Sequence, residues 1–98
     1  QSNTQPSEFV LYQNYPNPFN PSTQIRFTLA QSENVELSIF DVLGNKVRSL
    51  VKNRFGNGQY TFTWDGKNDN GSQLSSGLYY YMLETPSQKK VRKMILLK

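Results

Sequence analysis

Strict alternation of apolar and polar residues is the dominant pattern along the chain. Ile25, Phe27 and Leu29 alternate with Gln24, Arg26 and Thr28. Val35, Leu37 and Ile39 alternate with Glu36 and Ser38, and Tyr60, Phe62 and Trp64 with Thr61 and Thr63. Successive side chains of a strand point to opposite faces, so a period of two predicts strands with one buried and one solvated face. Turn formers lie between these segments, at residues 31–34 and at residues 41–45, where Gly44 can take the positive φ of a tight reversal. Residues 46–52 read as the return strand of a hairpin. Val47, Leu50 and Val51 break the alternation there, which points to a bulge or an edge position. Phe55, Gly56, Asn57 and Gly58 then turn the chain into the Tyr60 strand.

Residues 78–83 are apolar on both faces, so periodicity cannot orient them. A central strand covered on both sides, or a strand in contact with a partner, has this pattern. A last strand at residues 91–97 and a first one at residues 9–12 complete the series. Seven short strands and no helical period predict an all-β fold, an immunoglobulin-like seven-stranded antiparallel β-sandwich. At 98 residues the chain is one domain's worth. Residues 1–8 have the composition of a linker remnant, and residues 9–98 carry the sandwich. Hydrophobic content is low at 36%, but 13% of residues are aromatic, so the core is expected to rest on large rings.

The chain contains no cysteine and no histidine. That excludes disulfides, thiolate metal sites and the usual general base near neutral pH. Residues 1–8 show neither a basic n-region nor an apolar h-region, so an export leader is expected elsewhere in the parent protein. No run approaches transmembrane length, and membrane insertion is not expected. The formal charge of +4 is unevenly placed: Lys89, Lys90, Arg92, Lys93 and Lys98 are five of eleven basic residues, and no acid follows Glu84. Such a cluster first suggests phosphate binding. Met94, Ile95, Leu96 and Leu97 inside it read instead as a buried strand, so no nucleic-acid partner is expected.

Three segments carry candidate chemistry. Residues 15–21 hold Pro16, Pro18 and Pro21, which remove three backbone donors and bar the segment from a central strand. It is read as a stiff crossover that blunts a sheet edge and plugs one end of the sandwich with Phe19; a polyproline-ligand reading of Pro18-x-x-Pro21 lacks the flanking basic residue. Residues 65–71, Asp-Gly-Lys-Asn-Asp-Asn-Gly, are rich in oxygen ligands and offer a weak calcium site through Asp65 and Asp69. Lys67 stands where a ligand should be, so Asp65 is expected to cap the turn after Trp64 instead. Asn70-Gly71-Ser72 also matches a glycan acceptor. Trp64, Tyr79, Tyr80 and Tyr81 would form a sugar-stacking platform if they were exposed together, although Trp64 alternates with core positions. No nucleophile, base and orienter combine, and Asp41, Asp65, Asp69 and Glu84 form no recognisable pair, so the chain is read as non-catalytic and free of cofactors.

The ordered motifs resemble a known family. Leu11-Tyr12-Gln13-Asn14-Tyr15-Pro16-Asn17-Pro18-Phe19-Asn20-Pro21-Ser22-Thr23, followed by the Ile25, Phe27 and Leu29 strand, resembles the opening of the type A C-terminal sorting domain of the type IX (Por) secretion system. Ile39-Phe40-Asp41-Val42-Leu43-Gly44, Trp64-Asp65-Gly66, Ser76-Gly77-Leu78-Tyr79 and Arg92-Lys93-Met94-Ile95-Leu96-Leu97-Lys98 follow in the family's order. The likeness covers residues 9–98. Similar sandwiches also resemble the immunoglobulin-like part of flagellar hook-capping proteins.

The resemblance implies a seven-stranded sandwich at the C-terminus of a secreted multidomain protein, typically from Bacteroidetes or related phyla. It implies an upstream cargo domain in the same chain and export to the periplasm by a separate leader. Its implied partners are the outer-membrane type IX translocon and a sortase-like peptidase, with the cargo left at the cell surface or outside the cell. The family's signal residues carry over to Gly77 and Tyr79, and to Lys93, Met94, Ile95, Leu96, Leu97 and Lys98. Physically, a terminal strand with basic flanks is a handle that a receptor could read by shape, strand pairing and charge. Gly77 and Tyr79 have equally good structural roles, in loop geometry and core filling, whereas exposed Lys93 and Lys98 would add little to folding. The alternative expectation is a structural immunoglobulin-like spacer, or a carbohydrate-binding accessory module of a secreted enzyme.

Overall fold

All seven expected strands form in the computed structural model, which describes residues 8–97. The linker assigned to residues 1–8 and the signal residue Lys98 lie, Glu8 apart, outside the described residues. The strands are β1 (Val10–Leu11), β2 (Thr23–Leu29), β3 (Glu33–Phe40), β4 (Lys46–Phe55), β5 (Gly58–Trp64), β6 (Gly77–Glu84) and β7 (Lys89–Leu96). They build a three-stranded sheet in the order β1-β2-β5 and a four-stranded sheet in the order β4-β3-β6-β7. Every strand pair is antiparallel. The chain changes sheet between β2 and β3, between β4 and β5, and between β5 and β6, so the two layers are interwoven rather than sequential.

Alternation decides which side chains meet between the layers. Ile25, Phe27 and Leu29 of β2 and Trp64 of β5 face Leu37 and Ile39 of β3, Tyr81 and Leu83 of β6, and Met94 and Leu96 of β7, all buried. Phe27, Phe55, Tyr60 and Phe62 form one aromatic cluster, with Phe55 and Tyr60 centroids 4.8 Å apart. Phe19, Trp64 and Tyr79 form a second one at the other end. Each such ring or branched side chain contributes about 1.5–3 kcal/mol by leaving water, which is how a chain of low hydrophobic content holds two layers together.

The irregular β4 sequence is explained by register. Leu37 pairs with Val51 but Ser38 with Ser49, and Ile39 pairs with Arg48 but Phe40 with Lys46. Leu50 and Val47 are therefore the extra residues of two bulges, and with Val51 they turn toward the core. β4 is also an edge strand, so both expected causes operate together. The Asp41 side chain closes the preceding turn by accepting the N–H groups of Leu43 and Asn45, with Gly44 at φ +86°. Strand limits differ slightly from expectation: β1 is only two residues long, β3 already begins at Glu33, and β4 continues to Phe55.

β6 resolves the segment that periodicity left unoriented. Tyr79, Tyr81 and Leu83 point into the core, while Leu78, Tyr80 and Met82 are half-buried on the outer face. The proline-rich segment is the expected crossover. Tyr15 bridges to Gln24 of the three-stranded sheet, and Phe19 bridges in parallel to Leu96 of the four-stranded sheet. The peptide bonds preceding Pro16, Pro18 and Pro21 are cis. Asn14 and Thr23 are buried beneath this segment, with the Asn14 amide donating to the Thr23 hydroxyl and both side chains donating to the Pro16 carbonyl.

Candidate functional site

The terminal strand β7 sits at the edge of the four-stranded sheet, paired through its whole length with β6: Gly77 opposes Leu96, Tyr79 opposes Met94 and Glu84 opposes Lys89. Its far edge is closed by residues 11–19. Asn17 accepts the Ile95 N–H through its side-chain oxygen at 3.0 Å, and the Gln13 amide donates to the Lys93 carbonyl at 2.7 Å. The Phe19 N–H donates to the Ile95 carbonyl at 3.0 Å, and the Leu97 N–H donates to the Phe19 carbonyl at 2.9 Å. From the Lys93 carbonyl to the Leu97 N–H, every outward backbone group of the strand edge has a partner. That corrects one expectation: this stretch offers no free ladder to a receptor that would recognise it by strand pairing. Gln13 and Asn17 act across 80 and 78 positions of sequence, and no local pattern announces such polar contacts.

The candidate signal residues divide by strand alternation. Met94 and Leu96 are buried, whereas Lys93, Ile95 and Leu97 are exposed. The reading of residues 94–97 as one buried run is therefore corrected, because successive positions of a strand cannot share a face. Gly77 starts β6 at φ +152°, a conformation that L side chains rarely adopt, and a Cβ there would meet nothing within 4 Å. Backbone geometry rather than space calls for glycine. Tyr79 lies in the core, edge-on to Trp64 at 5.6 Å, with its hydroxyl donating to the Ser75 carbonyl at 2.7 Å. Gly77, Tyr79, Met94 and Leu96 thus hold the strand pair in shape, and Lys93, Ile95 and Leu97 are what it shows to solvent.

The basic cluster is likewise split over two faces. The Arg92 Nε donates to the Leu11 carbonyl at 2.6 Å, and the Lys90 ammonium lies 5.8 Å from the centroid of the Phe9 ring. These two side chains tie β7 to β1 and to the residue before it. Lys89 and Lys93 project instead from the outer face. Lys89 lies 4.0 Å from Glu84, while Lys93 has no ion-pair partner among the described residues. On the same face Lys46 reaches Glu36 at 2.7 Å. The Lys46 ammonium, aided by the Ser38 hydroxyl, holds the Glu36 carboxyl below the usual carboxylate range.

The other candidates come apart for physical reasons. Trp64 and Tyr81 are wholly buried and Tyr79 nearly so, leaving only Tyr80 half-exposed. No sugar-stacking platform forms, because three of the four rings occupy inward positions. Asp65 does cap the turn, accepting the Lys67 N–H at 3.1 Å. Asp69 accepts the Ser49 N–H at 3.0 Å. Arg48 lies between the two acids, 3.4 Å from Asp65 and 3.8 Å from Asp69. A calcium ion would have to displace a guanidinium, so this pair is a poor cation site. Among the described residues no three carboxylates converge.

Two interwoven antiparallel sheets around an aromatic core make this an immunoglobulin-like β-sandwich. The chain belongs to the FlgD Ig-like domain family, whose model matches residues 17–89. No curated protein matches it. Among solved structures it is similar to dimeric latent PorU from Porphyromonas gingivalis, at 22% identity and a TM-score of 0.69 over 92% of this chain and 9% of that one. It is also similar to PorZ, described as an essential bacterial surface component of the type-IX secretion system of the same organism. There the identity is 17% and the TM-score 0.57, over 92% of this chain and 11% of that one. At such identities the likeness is one of fold, and the chain spans about a tenth of the length of the solved chains it matches.

Proposed function

We propose that the chain is a non-catalytic C-terminal sorting domain of type A. It directs an upstream cargo domain of the same protein across the outer membrane through the type IX secretion system. A sortase-like peptidase then removes it, and the cargo is left at the cell surface or released. The observation that carries this reading is the ordered set of motifs from residues 11–23, through Gly77-Leu78-Tyr79, to residues 92–98. They are set on a fold like that of PorU and of PorZ, a component of that secretion system. Two further facts support it. The domain accounts for about a tenth of each of those chains, as a delivery module on a larger cargo would. The terminal strand is anchored by Met94 and Leu96 while Lys93, Ile95 and Leu97 stay exposed, a division suited to a presented signal. The non-catalytic part of the reading rests on a sequence without histidine or cysteine.

The test joins the full chain behind a periplasmic reporter in a bacterium that carries the type IX system, beside the same reporter without it. Surface delivery is expected only with the chain attached and only in cells with an intact translocon. Equal delivery without the chain overturns the reading. Deleting residues 91–98 would not serve, because it removes Met94 and Leu96 from the core and confounds signal with fold.

A structural spacer is the second reading, favoured by the match to the FlgD Ig-like family, which ends at Lys89 where β7 begins. Under it, removing the chain lowers the stability of the neighbouring domain and leaves delivery unchanged.

A further inference from the structure

The two sheets treat their outer faces differently. On the three-stranded sheet, the outward positions of the β2–β5 pair are Gln24, Arg26 and Thr28 opposite Thr63, Thr61 and Gln59, all exposed except Thr28, which lies against Val10 of β1. This is the polar surface expected where an antiparallel sheet meets water. On the four-stranded sheet, one outer row is charged, Glu36, Glu84 and Lys89, and the others are Phe40, Tyr80 and Lys93; Ser38, Met82 and Val91; and Leu78 and Ile95. Val91 is 55% exposed and Ile95 41% exposed. The turn after β3 leans over this surface, so that Phe40, Val42, Tyr80, Met82 and Val91, with Asp41 and Gly44 of the turn, line a shallow groove of about 280 Å³ with mainly apolar walls. Apolar side chains gathered on a face that should be solvated mark a contact site.

The geometry points to this outer face as the surface through which the domain is received, by a protein that presents apolar side chains next to a carboxylate. This inference rests on the sorting reading and names the contact it requires. Three observations choose the occupant. Lys93 stands between Val91 and Ile95 on this face, opposite Tyr80, with no acid paired to it among the described residues, so a carboxylate is the complement it lacks. A second copy of the chain offers three carboxylates from the same face, and each already has a partner: Glu36 has Lys46, Glu84 lies 4.0 Å from Lys89, and Asp41 accepts from the Leu43 and Asn45 N–H groups and the Asn45 amide. The groove is walled by Val42 and sized for a side chain, which suits a protein ridge better than a lipid surface. The edge of β7 is closed from the Lys93 carbonyl to the Leu97 N–H, so over this stretch recognition reads side chains rather than an open ladder.

The delivery assay described above tests this with Ile95→Glu, Lys93→Glu and Lys93→Arg in the full chain. The purified domains are compared by thermal unfolding. Ile95→Glu and Lys93→Glu are expected to unfold with the parent and to lower surface delivery by at least about tenfold, the equivalent of about 1.4 kcal/mol of contact energy. Lys93→Arg should deliver as the parent does. If Ile95→Glu unfolds early, Val91→Glu takes its place. A photo-crosslinking residue at Tyr80 should join the domain to a translocon component in exporting cells. Replacing that component's facing carboxylate with lysine should restore delivery of Lys93→Glu. Parental delivery by all the glutamate variants overturns the inference while leaving the sorting reading intact, since delivery would still depend on the chain. A concentration-dependent dimer in sedimentation that Ile95→Glu abolishes overturns it in favour of self-association. Flotation with phosphatidylglycerol vesicles that Lys93→Glu abolishes overturns it in favour of a membrane. Delivery that does not need the chain at all removes the reading and this inference together.

Discussion

Phe19 and Leu96 are joined as a parallel β-bridge at one end of the sandwich, and the same Phe19 buries its ring against Trp64 at a centroid distance of 5.5 Å. One residue of a proline-rich crossover therefore closes the edge of the terminal strand and fills the core beneath it. The two roles are linked: the ring fixes where the backbone lies, and the backbone accepts from Leu97 and donates to Ile95. The surface face of β7 is presented from this support.

Phe19→Ala should be among the most damaging single changes, costing about 3–5 kcal/mol, because it removes a buried ring and leaves a cavity under a stiff segment. Phe19→Leu should cost less than about 1.5 kcal/mol, since most of the volume is kept. Urea unfolding of the two variants measures the difference. A cost under about 1 kcal/mol for the alanine would mean that the crossover does not anchor the strand.

Tyr81 is the second tie between the crossover and the four-stranded sheet. Its hydroxyl donates to the Tyr12 carbonyl at 2.7 Å and accepts from the Asn14 N–H at 2.8 Å. Tyr81→Phe leaves both backbone groups without that partner in a dry site and should cost about 1–3 kcal/mol at neutral pH. Burial pushes the Tyr81 phenol from its ordinary 10 up to about 12. A raised folded value means that the fold favours the protonated form. The associated stability is present in full below pH 10 and is lost as pH rises toward 12. The gap in midpoint between parent and Tyr81→Phe should therefore narrow from pH 7 to pH 11. A gap that stays constant would show that this hydroxyl does not titrate in that window.

How far the sequence disclosed the fold can be seen in three strands. β2 was legible because Ile25, Phe27 and Leu29 have one buried face and one wet face, so period alone sets strand and orientation. β6 was legible as a strand but not in orientation, because Leu78, Tyr80 and Met82 are as apolar as Tyr79, Tyr81 and Leu83; the ambiguity came from a surface patch that imitates a second buried face. β7 was legible as a strand, but of the expected burial over residues 94–97 only Met94 and Leu96 bear it out, with Ile95 and Leu97 apolar yet exposed. Of the candidate site, the residue types were visible in the motifs. The contacts from Gln13 and Asn17 were not, since they join positions 80 and 78 residues apart through polar side chains that carry no periodic signal.

Residues 65–71 look like a cation loop by composition, and Arg48 decides what they do. Its guanidinium lies 3.4 Å from Asp65 and 3.2 Å from the Lys67 carbonyl. Added calcium at millimolar concentration should leave the unfolding midpoint of the parent unchanged. A site with a dissociation constant of about 10 μM would add roughly 2.7 kcal/mol at a hundredfold excess, a shift of at least about 10 °C in a domain this size. A calcium-dependent gain in the parent, reversed by a chelator, would show that the guanidinium yields its place.

Adjacent residues of β7 should behave as opposites, and this is the sharpest check on its register. Met94 is fully buried opposite Tyr79, and Ile95 is 41% exposed opposite Leu78. Met94→Ala should cost about 2–5 kcal/mol through lost transfer and a cavity. Ile95→Ala should stay within about 1 kcal/mol, because the shortened side chain leaves a surface and not a core. A register slipped by one residue would exchange every side chain between the faces, and the two costs would exchange with them. The same pair separates folding from delivery. Met94→Leu keeps volume and apolarity and should leave both stability and delivery near the parent, while Ile95→Glu should keep stability and lose delivery. A variant series in which delivery tracks stability at every position would mean that the outer face is only the outside of the fold. Loss of delivery at constant stability, confined to Val91, Lys93 and Ile95, would mean that this face is read.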